Sequence, residues 1–187
     1  MEPIKIVCIL GRAGSGKSTC GRRCAELIPT LAFLEVGGEI RRLLKEHRLP
    51  SHLQAIIDSG NIIPDKDSFG IVINFIEEKY KLGIRHFLID GYPRSGEQIR
   101  LLINKYGSEN VSAVEFVVDR DVAFNRLMNR KDERNDDHAE AIYQRFRVFD
   151  SSRDEIVSLC PCLYQIDSNN VLDMVCDQFV AIVNNLF

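Results

Sequence analysis

Gly11-Arg-Ala-Gly-Ser-Gly-Lys-Ser18 is the segment that most restricts what this chain can become. It fits the pattern GxxxxGK[ST], follows directly on the β-branched run 4–10 and leads into a helix. In that context glycines let backbone N–H groups converge on a triphosphate. The helix N-terminus favours negative charge, and Lys17 reaches the β- and γ-phosphates. Ser18 or Thr19 would face Mg²⁺. The competing reading is a Gly-rich turn with an exposed lysine, and the strand–loop–helix context argues against it.

The remaining chain supports a single unit. Its 187 residues can bury one core, 45% are hydrophobic and 27% charged, and there is no Pro/Gly/Ser tract, single-sign charge block or repeat. The opening MEPIKIVCIL has no basic n-region before a long apolar core, and no apolar run reaches membrane-spanning length. A cytoplasmic protein that meets neither membrane nor nucleic acid is expected. Six cysteines, at 8, 20, 24, 160, 162 and 176, show neither CxxC spacing nor the density of a disulfide scaffold, so they are expected to stay reduced. The net charge of −3 excludes no anionic substrate, because phosphate is held by local arginines, and arginines outnumber lysines sixteen to eight.

Apolar runs at 4–10, 31–36, 86–90, 113–119 and 163–167 read as five parallel strands buried on both faces. Helical stretches at 51–60, 65–83, 95–107, 121–130 and from 170 onward alternate with them, the last with a stripe of Leu172, Val175, Phe179, Ile182 and Leu186. This is an α/β three-layer pattern. Two segments break it: 37–65, helical but inserted between strands, and 131–137, charged and without apolar period. Both flank the strand ends, where open α/β sheets bind ligands, and both are candidate flaps that close over bound nucleotide.

Phe87-Leu-Ile-Asp90-Gly-Tyr-Pro-Arg94 ends a buried strand with a carboxylate suited to a metal-bound water, and sets an arginine on a stiff Tyr-Pro pedestal to hold a phosphate. A plain Asp-Gly turn would not explain that arginine. Arg126, Arg130 and Arg134, with Arg145 on the next helix, gather around the charged segment. Phosphoryl transfer needs positioning and charge neutralisation, which guanidinium forks supply, and an anionic acceptor phosphate needs no general base. A solvated helix face with i,i+4 ion pairs is the alternative for Arg126 and Arg130. His47, His52, His86 and His138 lack metal-ligand spacing. Met128, Met174, Phe124, Phe146, Phe149 and Phe179 fall on helical faces and read as core.

Taken with Gly38-Glu-Ile-Arg-Arg42, Ser59-Gly-Asn-Ile-Ile-Pro64, Gln98 and Arg134-Asn-Asp-Asp137, these segments resemble, in order and spacing over nearly the whole chain, the adenylate kinase and UMP/CMP kinase family in its short-lid form. The resemblance implies a P-loop nucleotide kinase with a five-stranded parallel sheet. Its core would be 1–36, 67–129 and 138–187, with a monophosphate-binding flap at 37–66 and a short lid at 130–137. It implies a monomer acting on ATP and a nucleoside monophosphate with Mg²⁺. Gly11, Ala13, Gly14, Ser15, Gly16, Lys17, Ser18 and Thr19 would cradle the ATP phosphates. Arg126 and the backbone near Asn170 would meet the donor adenine, and Ser18 and Asp90 the metal. Arg42 and Arg94 would hold the acceptor phosphate, with Gly37, Ile62, Gly91 and Gln98 around the acceptor. Lys17, Arg94, Arg130, Arg134 and Arg145 would form the catalytic set.

The chain departs from the family pattern in Arg12-Ala13-Gly14 for Gly-Pro-Gly and in Ser18 for a glycine. Its lid segment is shorter than usual and holds no cysteine, which excludes a zinc-stapled lid. A GTPase switch would need Asn-Lys-x-Asp, and Asn104-Lys-Tyr-Gly107 lacks the aspartate. A non-catalytic ATP-binding module would not need arginines converging on a second phosphate, and kinases of small metabolites would lack the Asp90–Arg94 segment and the Arg134–Asp137 segment together. Gln98, four residues after Arg94, can pair with N6 and N1 of adenine, so AMP is the expected acceptor ahead of UMP and CMP. A capping role in Ser95-Gly-Glu-Gln98 is the competing reading of that residue.

Overall fold

The computed structural model describes residues 3–129 and 138–187. Strands β1 (Lys5–Gly11), β2 (Leu31–Glu35), β3 (His86–Asp90), β4 (Val111–Val117) and β5 (Leu163–Asp167) form a sheet in the order β2-β3-β1-β4-β5. All four pairings are parallel. Parallel neighbours need crossovers, which here are helical. Helix α1 (Lys17–Leu27) joins β1 to β2; α2 (Val36–Lys45), α3 (His52–Asp58) and α4 (Asp65–Lys81) join β2 to β3. Helix α5 (Gly96–Tyr106) leads to β4, α6 (Arg120–Met128) and α7 (Ala139–Leu159) lie between β4 and β5, and α8 (Leu172–Leu186) follows β5.

Alternation along β1 divides the core in two. Ile6, Cys8 and Leu10 face one side with Phe87 and Ile89, packed with α2, α4 and α5 residues such as Ile40, Val72 and Ile99. Val7 and Ile9 face the other with Leu88, packed with Cys20, Cys24, Val175 and Phe179 of α1 and α8. The edge strand β5 departs from the expected two-sided burial: Tyr164, Gln165 and Asp167 are exposed while Ile166 is buried.

Segment 37–66 forms α2, α3 and the turn into α4, and buries Ile40, Leu43, Leu44, Leu53 and Ile63 in the first core. The lid, 130–137, lies outside the described residues, and with it Arg130 and Arg134.

Several apolar side chains are not where periodicity placed them. The buried face of α8 is Val175, Cys176, Phe179 and Val183, which leaves Met174 65% and Leu172 44% exposed. On α6 the buried positions are Ala123 and Leu127, so Met128, rotated one residue further, faces outward. Phe146 and Phe179 are core, and Phe124 packs partly against Phe146's cluster.

Cys20 and Cys176 form a disulfide with Cα atoms 4.8 Å apart, against the expectation of six reduced thiols. The two lie 156 residues apart in sequence and meet because α1 and α8 pack side by side on one face of the sheet. Among the described residues no helix is long and apolar enough to cross a membrane.

Glu115 on β4 is 2% exposed. Arg153 of α7 donates to both its oxygens at 2.6 and 2.8 Å, and Gln165 of β5 donates at 2.8 Å. Burial pushes the Glu115 carboxyl up, but the bonds from Arg153 and Gln165 outweigh it and hold the group below the usual carboxylate range.

Two outcomes follow from this packing. Alkylation of denatured, unreduced protein should modify four cysteines, and reduction should raise the number to six, read by mass. Arg153→Met should cost about 3 kcal/mol at neutral pH, because it strands a buried carboxylate. Since a depressed carboxyl stabilises above its unfolded pKa and loses that contribution as pH falls through the lower folded value, the deficit should shrink in acid. Denaturant unfolding at several pH values measures both the deficit and its decline.

Candidate active site

The loop after β1 takes its shape from its neighbours. Gly11 lies at φ 139, and a Cβ there would come 2.7 Å from the Phe116 carbonyl oxygen, so only glycine fits beside β4. Gly16 is the N-cap of α1, and no side chain caps that helix, which leaves its first N–H groups directed at the cleft mouth. Lys17 Nζ donates to the Arg12 carbonyl at 3.0 Å, arching back over the loop. Arg12 is anchored outward: its Nε donates to Asp150 Oδ1 at 2.8 Å and its Nη1 to the Val118 carbonyl at 3.0 Å. Asp150 also pairs with Arg120.

One cleft of about 360 Å³ runs from this loop along the carboxyl ends of the strands. That volume lies within the range of small-molecule sites. Gly11, Ala13, Gly14, Gly16, Lys17, Ser18 and Thr19 line it at one end. Asp90, Gly91, Arg94, Gln98, Gly37, Ile62 and Arg145 line it further along. Ser15 is fully buried, and its carbonyl accepts from Ser168 Oγ, so it supports the loop from behind instead of facing the cleft.

Asp90 ends β3 beside the loop because β1 and β3 pair with Ile9 opposite Asp90. It is 2% exposed, and Ser18 Oγ donates to its Oδ2 at 2.5 Å. Burial raises the Asp90 pKa, against the opposing pull of Lys17 and Ser18. Its Oδ1 is buried without a hydrogen-bond partner. A carboxylate oxygen left orphaned beside a hydroxyl fits a hydrated Mg²⁺, which keeps several waters, takes few protein oxygens and draws its other ligands from phosphates. Among the described residues no group of three His, Cys, Asp or Glu side chains forms a larger metal nest.

Arg94 Nε donates to the Gly91 carbonyl at 2.9 Å, which folds the arginine back over the turn after β3. The Tyr92-Pro93 bond is cis, Tyr92 is 1% exposed, and its hydroxyl donates to the Gln98 carbonyl at 3.2 Å.

Arg42, expected in the cleft, is turned away from it. It pairs with Glu39 at 2.6 Å and Glu46 at 2.7 Å on the outer face of α2. Arg41 lines the cleft instead. Helical phase explains the exchange: Arg41 follows Gly37 by four residues on the cleft face, whereas Arg42 shares its face with Glu39 and Glu46. Its 3.6-residue period could have been used to separate the two arginines.

Arg126 and Asn170, expected near the donor adenine, do not line the cleft. Arg126 Nη1 donates to the Ser168 carbonyl at 2.9 Å, and Asn170 bonds Asp167, in the loop after β5. This loop adjoins the phosphate loop, since a Cβ on Gly16 would lie 3.2 Å from Leu172.

Helix α7 supplies the opposite wall with Arg145, Val148, Phe149 and Ser152, spaced three and four apart. Phe149 thus stands in the cleft and not in the core, because the core-facing positions of α7 are Ala141, Ile142, Phe146 and Ile156. The turn at 60–61 is docked on this helix. Gly60 has φ 78, with room for no Cβ beside the Ala141 carbonyl, and Gln144 donates to Asn61 at 2.8 Å.

A family model described as adenylate kinase matches residues 9–161. The chain belongs to the adenylate kinase family. An adenylate kinase of Campylobacter hominis is 33% identical over 154 residues, covering 79% of this chain and 78% of that protein. A probable UMP-CMP kinase of Arabidopsis thaliana is 30% identical over 156 residues, covering 82% and 74%. A uridylate kinase of Saccharomyces cerevisiae is 25% identical over 186 residues, covering 96% and 86%. Membership makes the chain a phosphotransferase of the nucleoside monophosphate kinase type, and the residues that line the cleft lie in the matched span.

The exchange of arginines sets a test. Arg41→Ala should raise KM for the monophosphate about tenfold or more, the effect of losing a charge-assisted contact, and Arg42→Ala should change it less than about threefold. Steady-state kinetics at saturating ATP measure both.

Proposed function

We propose that this kinase transfers the γ-phosphate of ATP to AMP, with Mg²⁺, yielding two ADP. The observation that carries the reading is the single continuous cleft, with a phosphate loop at one end and Arg94, Arg41 and Gln98 at the other. Two phosphate-binding regions in one cavity suit transfer from one nucleotide to another better than they suit storage of one.

In this reading the loop N–H groups and Lys17 hold the β- and γ-phosphates, and Lys17 offsets charge that is greatest in the transition state. When bound, Mg²⁺ neutralises charge shared between the β- and γ-phosphates. Ser18 and Asp90 are the residues that would hold it, directly or through water. Arg94, with Arg41 in the place first assigned to Arg42, grips the acceptor phosphate. Arg145 approaches the transferring group from α7, and Arg130 and Arg134 are assigned to the same group from the lid. Arg126 and the loop at Asn170 take the donor adenine. No residue has to remove a proton, since the acceptor phosphate is already anionic. Closure of 37–66 and 130–137 would exclude water and suppress hydrolysis.

The acceptor base is assigned to the end formed by Val36, Ile57, Ile62, Ile63, Ser68 and Gln98, where apolar side chains can sandwich a flat ring. A pyrimidine acceptor is the second reading, favoured by the similarity to a probable UMP-CMP kinase.

Lys17→Met should lower kcat to less than about a tenth of wild type, with an unchanged melting temperature. In a coupled assay kcat/KM for AMP should exceed that for UMP by about tenfold, roughly one good hydrogen bond, and that for CMP by a similar factor from the larger purine ring's contact with the apolar walls. Faster use of either pyrimidine would overturn the base assignment.

A further inference from the structure

Gln98 meets the cleft with most of its hydrogen-bonding capacity committed. Its Oε1 accepts from the Arg94 backbone N–H at 2.6 Å. Its Nε2 donates to Asp65 Oδ1 at 2.7 Å and to Ser68 Oγ at 3.1 Å. These partners fix which end of the amide is which, because a backbone N–H only donates and an ionised carboxylate only accepts. A primary amide has two N–H donors and two carbonyl lone pairs. Both donors are spent, and one lone pair of Oε1 remains.

The surroundings hold that arrangement. Gln98 is 1% exposed and Ser68 4%. The Ser68 hydroxyl donates to the Asp65 carbonyl at 3.1 Å, which leaves its oxygen to accept from Gln98. Asp65 opens α4 and also accepts from Ser95 Oγ at 3.2 Å, while Ser95 caps α5 by accepting from the Gln98 N–H. The expected capping box is therefore half present: Ser95 caps, but Gln98 Oε1 returns to the Arg94 N–H instead of that of Ser95.

We propose that Asp65 is a positioning residue for acceptor choice. By occupying an N–H of Gln98 together with Ser68, it makes the side chain an acceptor only, so the pocket selects monophosphates whose base carries an exocyclic amino group. Adenine and cytosine then bind ahead of their oxo counterparts, hypoxanthine and uracil, whose carbonyl would set lone pair against lone pair. The N1 atom of adenine goes unread by Gln98, because pairing with it needs a donor the amide no longer has. This inference rests on the assignment of the Gln98 end of the cleft to the acceptor base.

The test is kcat/KM with AMP, IMP, CMP and UMP at saturating ATP for wild type, Asp65→Asn and Asp65→Ala. In the wild type AMP should exceed IMP, and CMP exceed UMP, each about tenfold. Asp65→Asn retains an acceptor oxygen and should keep both ratios. Asp65→Ala frees one N–H of Gln98 and should bring both ratios within about threefold, with KM for ATP unchanged. A purely structural role would lower all four values together and leave the ratios intact, which would overturn the proposal. If Asp65→Ala fails to fold, Ser68→Ala frees the other N–H and should collapse the same ratios; unchanged ratios there, or wild-type ratios near one, would overturn it as well. Preference for CMP over AMP with both amino-to-oxo ratios intact would refute the AMP assignment and support the lock. Preference for AMP with the ratios absent would do the reverse.

Discussion

The register of β1 between β3 and β4 is the constraint on which the rest of the molecule depends. Ile9 stands opposite Asp90 on one side and Gly11 opposite Phe116 on the other. Because the strands are parallel, the loop after β1 and the carboxylate at the end of β3 leave the sheet at the same edge. A slip of one residue would exchange the side chains of β1 between two differently packed cores and move Gly11 from the Phe116 carbonyl, where only glycine fits, so close packing on both faces holds the register. Ser18 and Asp90 meet within hydrogen-bonding distance as a consequence of that pairing.

The buried charges behave differently at the two places where the sheet carries them. Glu115 is satisfied on all sides by Arg153 and Gln165, so its charge is structural and ties α7 and β5 to β4. Asp90 has one oxygen bonded and one left without a partner. An unmet acceptor in a buried carboxylate is costly, and such costs are retained where a ligand will meet them. The contrast separates a carboxylate that holds the fold from one that lines the cleft with an unmet acceptor.

Helix α7 links the two ends of the cleft. Asp150 grips Arg12 of the phosphate loop, Arg145 and Phe149 line the cavity, and Gln144 and Ala141 receive the turn at 60–61. A shift of this helix would be felt by the phosphate loop and by the acceptor side together. Arg12 thus gives the departure from Gly-Pro-Gly a physical role, since its guanidinium joins the loop to α7 and to the strand end at Val118.

By itself the sequence determined the α/β layering, the five strands to within two residues at their ends, and the phosphate loop, because β-branched runs, glycine spacing and helical periods are local properties of the chain. Lys17, Ser18, Asp90, Arg94, Gln98 and Arg145, singled out by motif and spacing, line one cleft. Which of two adjacent arginines faces that cleft was also legible in the helical period, since Arg42 falls on the face of Glu39 and Glu46, three and four residues away, and Arg41 on that of Gly37. Only the tertiary structure decided that Phe149 walls the cavity and that Met174 is exposed, because amphipathic period identifies a face without saying what covers it. Cys20 and Cys176 meet only when α1 and α8 share a face of the sheet, and the orientation of Gln98 is imposed by Asp65 and the Arg94 N–H, which come from different turns. Contacts such as Cys20–Cys176 and Asp65–Gln98 join residues distant in sequence, which carry no local signal of one another.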